Sequence, residues 1–388
     1  MSTKTRRIAI NVGAGYFPGL NAVVKGAALA AGNLGWEVVG IRDGFRGLLQ
    51  RDYSTDGGLV ELSPRIIENL DPAGGGFLGQ AARVDPFHVR KVNEDGMVEE
   101  VDLSDDLVSM AEDEMFDALI SVVGGRGLSI LYKLHRKGLR TVCIPLSIEN
   151  DIAATMVSFG FNSALSFTIE MLDRTRQAAQ SARRIGVVEV LGDQSGWLAL
   201  QAGIAVVADA ILIPEIPCDL HTVAAKLKER MYLGRPYGLV VVAEGARLAG
   251  KPQGRTDKPS ANPLKDSLSP GATGDSGEHI IQRSGQAAKT VARELQLMLP
   301  EETYPIVLGP LVCGGPPTAV DRQLGLAYGA GAVEALNAGE NGVMVAFQPP
   351  DIKFVPLAEA INKVRTVPAD SEFMQIAKSL GICLGREL

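Results

Sequence analysis

Glu149 and Asp151 stand one residue apart in the stretch Ile144-Pro-Leu-Ser-Ile-Glu-Asn-Asp151. The apolar run Thr141-Val-Cys-Ile-Pro-Leu146 precedes them and reads as a buried parallel strand. The acidic pair therefore falls at that strand's carboxyl end, where open α/β sheets bind ligands. Two oxygen ligands in so short a turn can hold a hydrated Mg²⁺, activate a hydroxyl, or both. The plainer alternative is a turn followed by a helix N-cap.

Two glycine-rich turns add phosphate chemistry. Gly13-Ala-Gly15-Tyr-Phe-Pro-Gly19-Leu-Asn21 follows the first strand and opens a long helix. Val122-Val-Gly124-Gly125-Arg126-Gly127-Leu-Ser129 repeats the strand, glycine, helix order. Backbone N–H groups at such junctions, with a helix dipole behind them, favour an anion. Neither turn is a Walker A loop or a dinucleotide fingerprint. Arg126 adds a guanidinium that would face phosphate or the nearby carboxylates. Ser129 reads as the cap of the helix that follows.

These residues need a scaffold. Apolar runs expected as strands are Arg7-Val12, Glu37-Arg42, Ala118-Val123, Thr141-Leu146, Ile185-Val190, Ala210-Pro214, Gly238-Ala243, Ile306-Leu308 and Gly342-Phe347. Amphipathic segments such as Leu20-Leu34, Ser129-Lys137, Asn162-Ala182 and Gly285-Leu299 separate them. Strands alternating with helices imply α/β architecture with doubly wound, Rossmann-like parallel sheets. About nine strands exceed one comfortable sheet, and 388 residues suit two domains. Residues 250–277 break the pattern: Gly, Pro, Ser, Asp and Lys dominate, and the stretch reads as an insertion, a lid or an interface arm.

Composition narrows the class. The charge of −7 is spread along the chain, without the basic footprint of a nucleic-acid binder. No apolar run approaches the roughly 18 residues of a membrane span. The first seven residues lead straight into a strand too short for a signal peptide, so a cytoplasmic location is expected. Cys143, Cys218, Cys313 and Cys383 are scattered without metal spacing and read as buried thiols in a reducing compartment.

Taken in order, the Pro-Gly-x-Asn turn, the Gly-Gly-x-Gly junction and the Pro-x-x-Ile-x-Asn-Asp turn resemble the phosphofructokinase superfamily. The likeness runs on through Val38-Val-Gly-Ile-Arg-Asp-Gly44, Gly75-Gly-Phe-Leu-Gly-x-Ala-Arg83, Arg184-Ile-Gly-Val-Val-Glu-Val-Leu-Gly192, Val240-Val-Val-Ala-Glu244, Leu308-Gly-Pro-Leu-Val-Cys-Gly-Gly315 and Asp321-Arg322. The resemblance implies two similar domains with an active site between them. By analogy, residues 1–160 with 312–362 form a nucleotide or phosphate-donor domain. Residues 161–311 with 363–388 then form a sugar-phosphate domain. It implies transfer of a phosphoryl group from ATP or pyrophosphate, with Mg²⁺, to the 1-hydroxyl of fructose 6-phosphate. It also implies a homodimer or homotetramer whose sugar sites borrow residues across subunits.

Carried onto this chain, the resemblance makes Glu149 the base, Asp151 the metal ligand and Arg126 a clamp on the moving phosphoryl group. Gly13, Gly15, Gly124, Gly125, Gly127 and Arg83 would contact the donor. Ser147, Gly192 and Glu244 would contact the acceptor, and Arg184 would reach into the acceptor site of a neighbouring subunit. Several positions depart from the family pattern. Arg126 replaces an aspartate that serves the metal, and Glu149 replaces the catalytic aspartate. Leu191-Gly192-Asp193 stands for Met-Gly-Arg. Pro310 and Cys313 stand for a His and an Arg of the sugar loop, and Tyr304 for an arginine of the 6-phosphate site. Gly127 is the residue ATP-using members carry, and Leu146 stands where pyrophosphate users have lysine. Two functions are consistent with these departures. One is a phosphotransferase with an acceptor other than fructose 6-phosphate. The other is a catalytically impaired paralogue that regulates or assembles with an active enzyme.

Overall fold

The computed structural model describes residues 6–13, 17–50, 57–79, 85–93, 96–249, 285–361 and 363–386. Gly15, Arg83 and the 250–277 stretch lie outside them. The chain divides into two compact units. The first comprises Met1–Ser147, Ile152–Ser163 and Cys313–Val364; the second comprises Ile148–Asp151, Ala164–Val312 and Arg365–Leu388. Ile148–Asp151 thus groups with the second unit, whereas the sequence reading assigned it to the first domain.

The first unit is built on β1 (Arg7–Val12), β2 (Glu37–Ile41), β3 (Leu59–Glu61), a separate hairpin of β4 (Val89–Val92) and β5 (Val98–Val101), then β6 (Ala118–Val123), β7 (Thr141–Ser147) and β8 (Phe159–Gly160). The second contributes β9 (Ile185–Val190), β10 (Ala210–Leu212), β11 (Gly238–Ala243) and β12 (Thr303–Val307), and the chain returns to the first with β13 (Val343–Gln348) and β14 (Asp351–Pro356).

The large sheet runs β14-β13-β7-β6-β1-β2-β3, with β8 beside the end of β7. Its interior pairings are parallel and its two edges, β13–β14 and β2–β3, antiparallel. Both faces are covered. Ile8, Ile10, Ile120 and Val122 pack on one side with the helices Leu20–Asn33 and Ala319–Asn337. Ala9, Leu119 and Val123 pack on the other with Leu128, Leu131 and Leu134. Burial on both faces explains why these strands read as unbroken apolar runs rather than alternating ones.

Glycine sets the spacing of the two helices on the first face. A Cβ on Gly26 would press into the carbonyl oxygen of Leu326, and one on Gly329 into that of Val23. Only bare backbones fit there. Asp321, fully buried, also organises this unit: its carboxylate accepts from the N–H of Gly160 at 3.1 Å and from the N–H and hydroxyl of Ser163, both at 2.6 Å.

The second unit's sheet runs β10-β11-β9-β12, all parallel. Its strands pack on the helices Leu220–Tyr232 and Gln286–Gln296 through Val187, Val240, Val242, Val223, Val291 and Leu295. The N-terminal turn of the second of these helices is capped by buried Glu189 of β9, which accepts from the N–H groups of Gly285 and Ala288.

The apolar core strands were legible in advance, although β12 begins at Thr303 rather than Ile306 and β10 ends at Leu212 rather than Pro214; β3, β4, β5, β8 and β14 were not. β4 and β5 read Val-Arg-Lys-Val and Val-Glu-Glu-Val and lie largely exposed, so no buried face marks them. β14 follows Pro349-Pro350 and forms an edge whose exposure alternates, so no continuous apolar run marks it. Cys143 and Cys218 are buried as expected, but Cys313 and Cys383 are only half-buried; all four are free thiols.

Candidate active site

In the first unit the chain leaves β1 toward β2 on one side and later fills β6 and β7 on the other. The topological switch point therefore lies between β1 and β6, where crevices form at strand carboxyl ends. The two glycine junctions sit there. Gly13 follows β1 and its N–H bonds to the carbonyl of Val122 in β6 at 2.9 Å. Gly124 follows β6 as the extended N-cap of the helix Gly125–Arg136.

That helix starts four residues earlier than the sequence suggested. Ser129 lies inside it and is not its cap, because the glycines themselves turn into helix. Arg126 and Gly127 consequently occupy the first helical turn, where N–H groups lack intrahelical partners. Arg126 is exposed. A Cβ on Gly125 would meet nothing within 4 Å, leaving room for a ligand against the backbone. Gly127 is different: a Cβ there would come within 2.5 Å of Cβ of Val123. Packing alone demands glycine at 127, and an aspartate would not fit without a shift of the helix.

Asn21, from the first glycine-rich turn, braces the neighbouring loop. Its side chain accepts from the N–H of Phe77 at 3.2 Å and donates to the carbonyl of Asp71 at 3.1 Å. Ser147 ends β7 half-buried, paired in register with Gly160 of β8.

The second unit gathers carboxylates. Glu149 and Asp151 come from the turn after β7, Asp193 from the loop after β9, and Glu244 from the end of β11. The Asp193 N–H donates to Oε2 of Glu149 at 3.3 Å. The Glu149 carboxyl is raised well above its ordinary value, chiefly by burial, then by the like charges of Asp151 and Glu244; the Asp193 N–H pulls the other way. A carboxyl raised in this manner suits a proton acceptor working near neutral pH.

Backbone geometry holds this loop tightly. Gly192 has φ 142°, and a Cβ on it would approach the carbonyl oxygen of Ser195 at 2.5 Å. Asn150, between the two carboxylates, is almost fully buried at φ 55°, a left-handed conformation that asparagine tolerates better than most residues.

Gly192, Glu149, Asp151 and Glu244 are thus brought to one end of this unit. Arg184 is not. It precedes β9 while Gly192 follows it, and a six-residue strand at about 3.3 Å per residue keeps them roughly 20 Å apart. Arg184 instead pairs with Glu302 at 2.9 Å on the exposed surface, a contact worth at most about 1 kcal/mol. Tyr304 lies close by, its phenol raised by burial and lowered by Arg184. Pro310 and Cys313 both fall in the short 3₁₀ turn Gly309–Cys313.

Sequence reading missed Arg365, whose backbone N–H donates to the carbonyl of Asp151 at 2.7 Å and whose guanidinium reaches the carbonyl of Asn150 at 3.2 Å. More than two hundred residues separate them, and no local motif announces the contact.

Comparison with known proteins agrees with this architecture. A family model described as Phosphofructokinase matches residues 7–336. An ATP-dependent 6-phosphofructokinase of Chloroflexus aurantiacus is 36% identical over 390 residues, covering 100% of both chains. The ATP-dependent 6-phosphofructokinase 3 of Streptomyces coelicolor is 37% identical over 367 residues, covering 93% of this chain and 96% of the other. Among solved structures, phosphofructokinase from Saccharomyces cerevisiae superposes with a TM-score of 0.68 at 26% identity, over 92% of this chain and 45% of that one. A pyrophosphate-dependent phosphofructokinase from Marinobacter aquaeolei gives 0.71 at 18% identity, over 98% and 92%, a likeness of fold alone.

Proposed function

The chain belongs to the phosphofructokinase family, and from that premise we propose that it transfers the γ-phosphoryl group of ATP to a hydroxyl of a sugar phosphate. The observation that carries this reading is the Glu149 carboxyl. It is held by a backbone N–H and raised by burial, as a general base requires. Glu149 takes the proton of the acceptor hydroxyl. The freed oxygen bonds to the γ-phosphorus as the bond to the β-phosphate oxygen breaks, releasing ADP. In the first unit the helix N-terminus at Gly125–Gly127 offers N–H groups without intrahelical partners, suited to a nucleotide phosphate.

Among the described residues, no group of three or more His, Cys, Asp or Glu side chains is arranged to hold a metal ion. Mg²⁺ usually keeps several waters and takes one or two carboxylates together with substrate phosphates. Asp151 meets that demand, so its carboxylate fits an Mg²⁺ delivered with the nucleotide, which would neutralise charge on the phosphates. Where the resembled family carries a second acidic residue this chain has Arg126, a fixed positive charge. Phosphoryl transfer depends mainly on positioning and charge neutralisation, so a guanidinium can share that role.

We further propose that the acceptor is not fructose 6-phosphate in the family's usual pose. Asp193 puts a carboxylate where the family has an arginine, and Pro310, Cys313 and Tyr304 offer no cation. Charge-assisted contacts are worth ~1.5–3 kcal/mol each, so losing two or three weakens binding by several powers of ten. A panel of sugar phosphates in an ATP- and Mg²⁺-dependent coupled assay tests both proposals. Turnover with another sugar phosphate but not with fructose 6-phosphate is expected. Ordinary turnover of roughly 1–10³ s⁻¹ with fructose 6-phosphate would refute the acceptor proposal.

Arg126 also favours a second reading, an impaired paralogue that pairs with an active enzyme. No turnover with any member of the panel, with co-purification of an active phosphofructokinase, would select it. Under the first reading the assembly we propose is a homodimer or homotetramer, under the second a complex with the active paralogue, and under both the ligand is a small phosphate compound.

A further inference from the structure

The second unit contains a strap that closes on the Glu149–Asp151 turn from far along the chain. Arg365 makes four hydrogen bonds through its backbone and side chain, and one ring contact. Its N–H donates to the Asp151 carbonyl at 2.7 Å, and its Nη1 to the Asn150 carbonyl at 3.2 Å. Its own carbonyl accepts from the Ser195 hydroxyl at 3.0 Å and from Nε1 of Trp197 at 3.1 Å. The guanidinium lies 4.2 Å from the centre of the Trp197 ring, a cation–π contact in a partly desolvated place.

Two residues on, the Val367 N–H donates to Oε1 of Glu215 at 2.8 Å, and that same oxygen accepts from the Gly196 N–H at 3.0 Å. The circuit then closes, because the loop holding Ser195 and Gly196 also carries Asp193, whose N–H donates to Glu149. Strap, acidic turn and Asp193 loop are therefore tied into one ring of hydrogen bonds.

The ring has something to hold. Asn150 sits in the left-handed region at φ 55°, and such residues persist only where their surroundings over-determine them. The carbonyl of Asn150 and that of the following residue, Asp151, are the ones Arg365 engages. A displacement of about 1 Å in a reacting group can cost on the order of 10² in rate.

We propose that Arg365 is a positioning residue that sets the backbone of the Glu149–Asp151 turn, with Trp197 fixing its guanidinium. The inference rests on the reading of Glu149 as the base. Substitution leaves the chain's backbone contacts from residue 365 in place and removes the guanidinium, so its effect reports on the side chain.

The test uses the full chain as Arg365→Ala, Arg365→Lys and Trp197→Phe, with Glu149→Gln as control. Steady-state kinetics are measured with ATP and the best acceptor of the sugar-phosphate panel, and amide hydrogen exchange is followed at residues 150–152 and at Asp193. Arg365→Ala is expected to lower kcat by about 10²-fold while KM for ATP stays within about twofold. Arg365→Lys, which keeps the charge, should recover at least part of the loss. Exchange at Asp193 and 150–152 should quicken in Arg365→Ala while β1 and β6 stay protected; this holds whether or not an acceptor has been found. If Arg365→Ala fails to fold, Arg365→Lys and Trp197→Phe carry the same two readouts at smaller amplitude. A folded Arg365→Ala with parent kcat and parent exchange overturns the proposal. So does a loss that lysine leaves unrelieved and that raises KM in parallel. Full turnover in Glu149→Gln would instead sink the base assignment, leaving the exchange measurement to judge the strap.

Discussion

Replacing Asp193 by arginine reverses the charge at the position where the family carries an arginine. The backbone tolerates it, because Asp193 does not require a positive φ and its side chain is half-exposed. The hydrogen bond to Glu149 survives, since its donor is the Asp193 backbone N–H. One repulsive carboxylate disappears and one charge-assisted contact to a phosphate becomes available. A contact of that kind is worth ~1.5–3 kcal/mol. At about 1.4 kcal/mol per factor of ten, Asp193→Arg should tighten fructose 6-phosphate by roughly 10- to 150-fold. Titration calorimetry with fructose 6-phosphate measures it, and fructose, which lacks the phosphate, is the control. The gain should appear only with the phosphorylated sugar. Glu149 should also move down, but not back to an ordinary carboxyl, because burial and the charges of Asp151 and Glu244 outrank Asp193 among its causes. Unchanged or weaker binding in a variant that melts like the parent would show that residue 193 does not face the acceptor's phosphate.

Other outcomes follow from the same geometry. Nucleotide should raise the melting temperature, and Arg126→Asp should make that rise more dependent on Mg²⁺, since a second acidic contact replaces a fixed positive charge; identical Mg²⁺ dependence in both proteins counts against the Arg126 role. Gly26→Ala should destabilise the chain by about 1–3 kcal/mol in urea denaturation, because its Cβ would press into the Leu326 carbonyl. The rate of phosphoryl transfer should fall as pH drops through the raised value of Glu149, which must be unprotonated to accept a proton, so the acid limb should lie well above the ordinary 4.5. Light scattering should find a dimer or larger at micromolar concentration, and a monomer would end the assembly proposal.

Much of the scaffold is legible in the sequence because parallel strands buried on both faces must be apolar along their length. β1, β6, β9 and β11 were read to the residue for that reason. Edge elements such as β4, β5 and β14 lack a buried face and left no such trace. The family, the glycine junctions and the acidic turn also follow from local order, since each is a short motif at a strand end. Tertiary structure alone decided the rest. It started the helix after β6 at Gly125 rather than at Ser129, because backbone packing against Val123 lets glycine enter the helix where a side chain would not fit. It brought Arg365 to the turn at Asn150, a contact between residues far apart in the chain. Hydrogen bonds between distant backbone groups depend on where the fold carries the chain, not on which side chains flank them, so no spacing in the sequence records them.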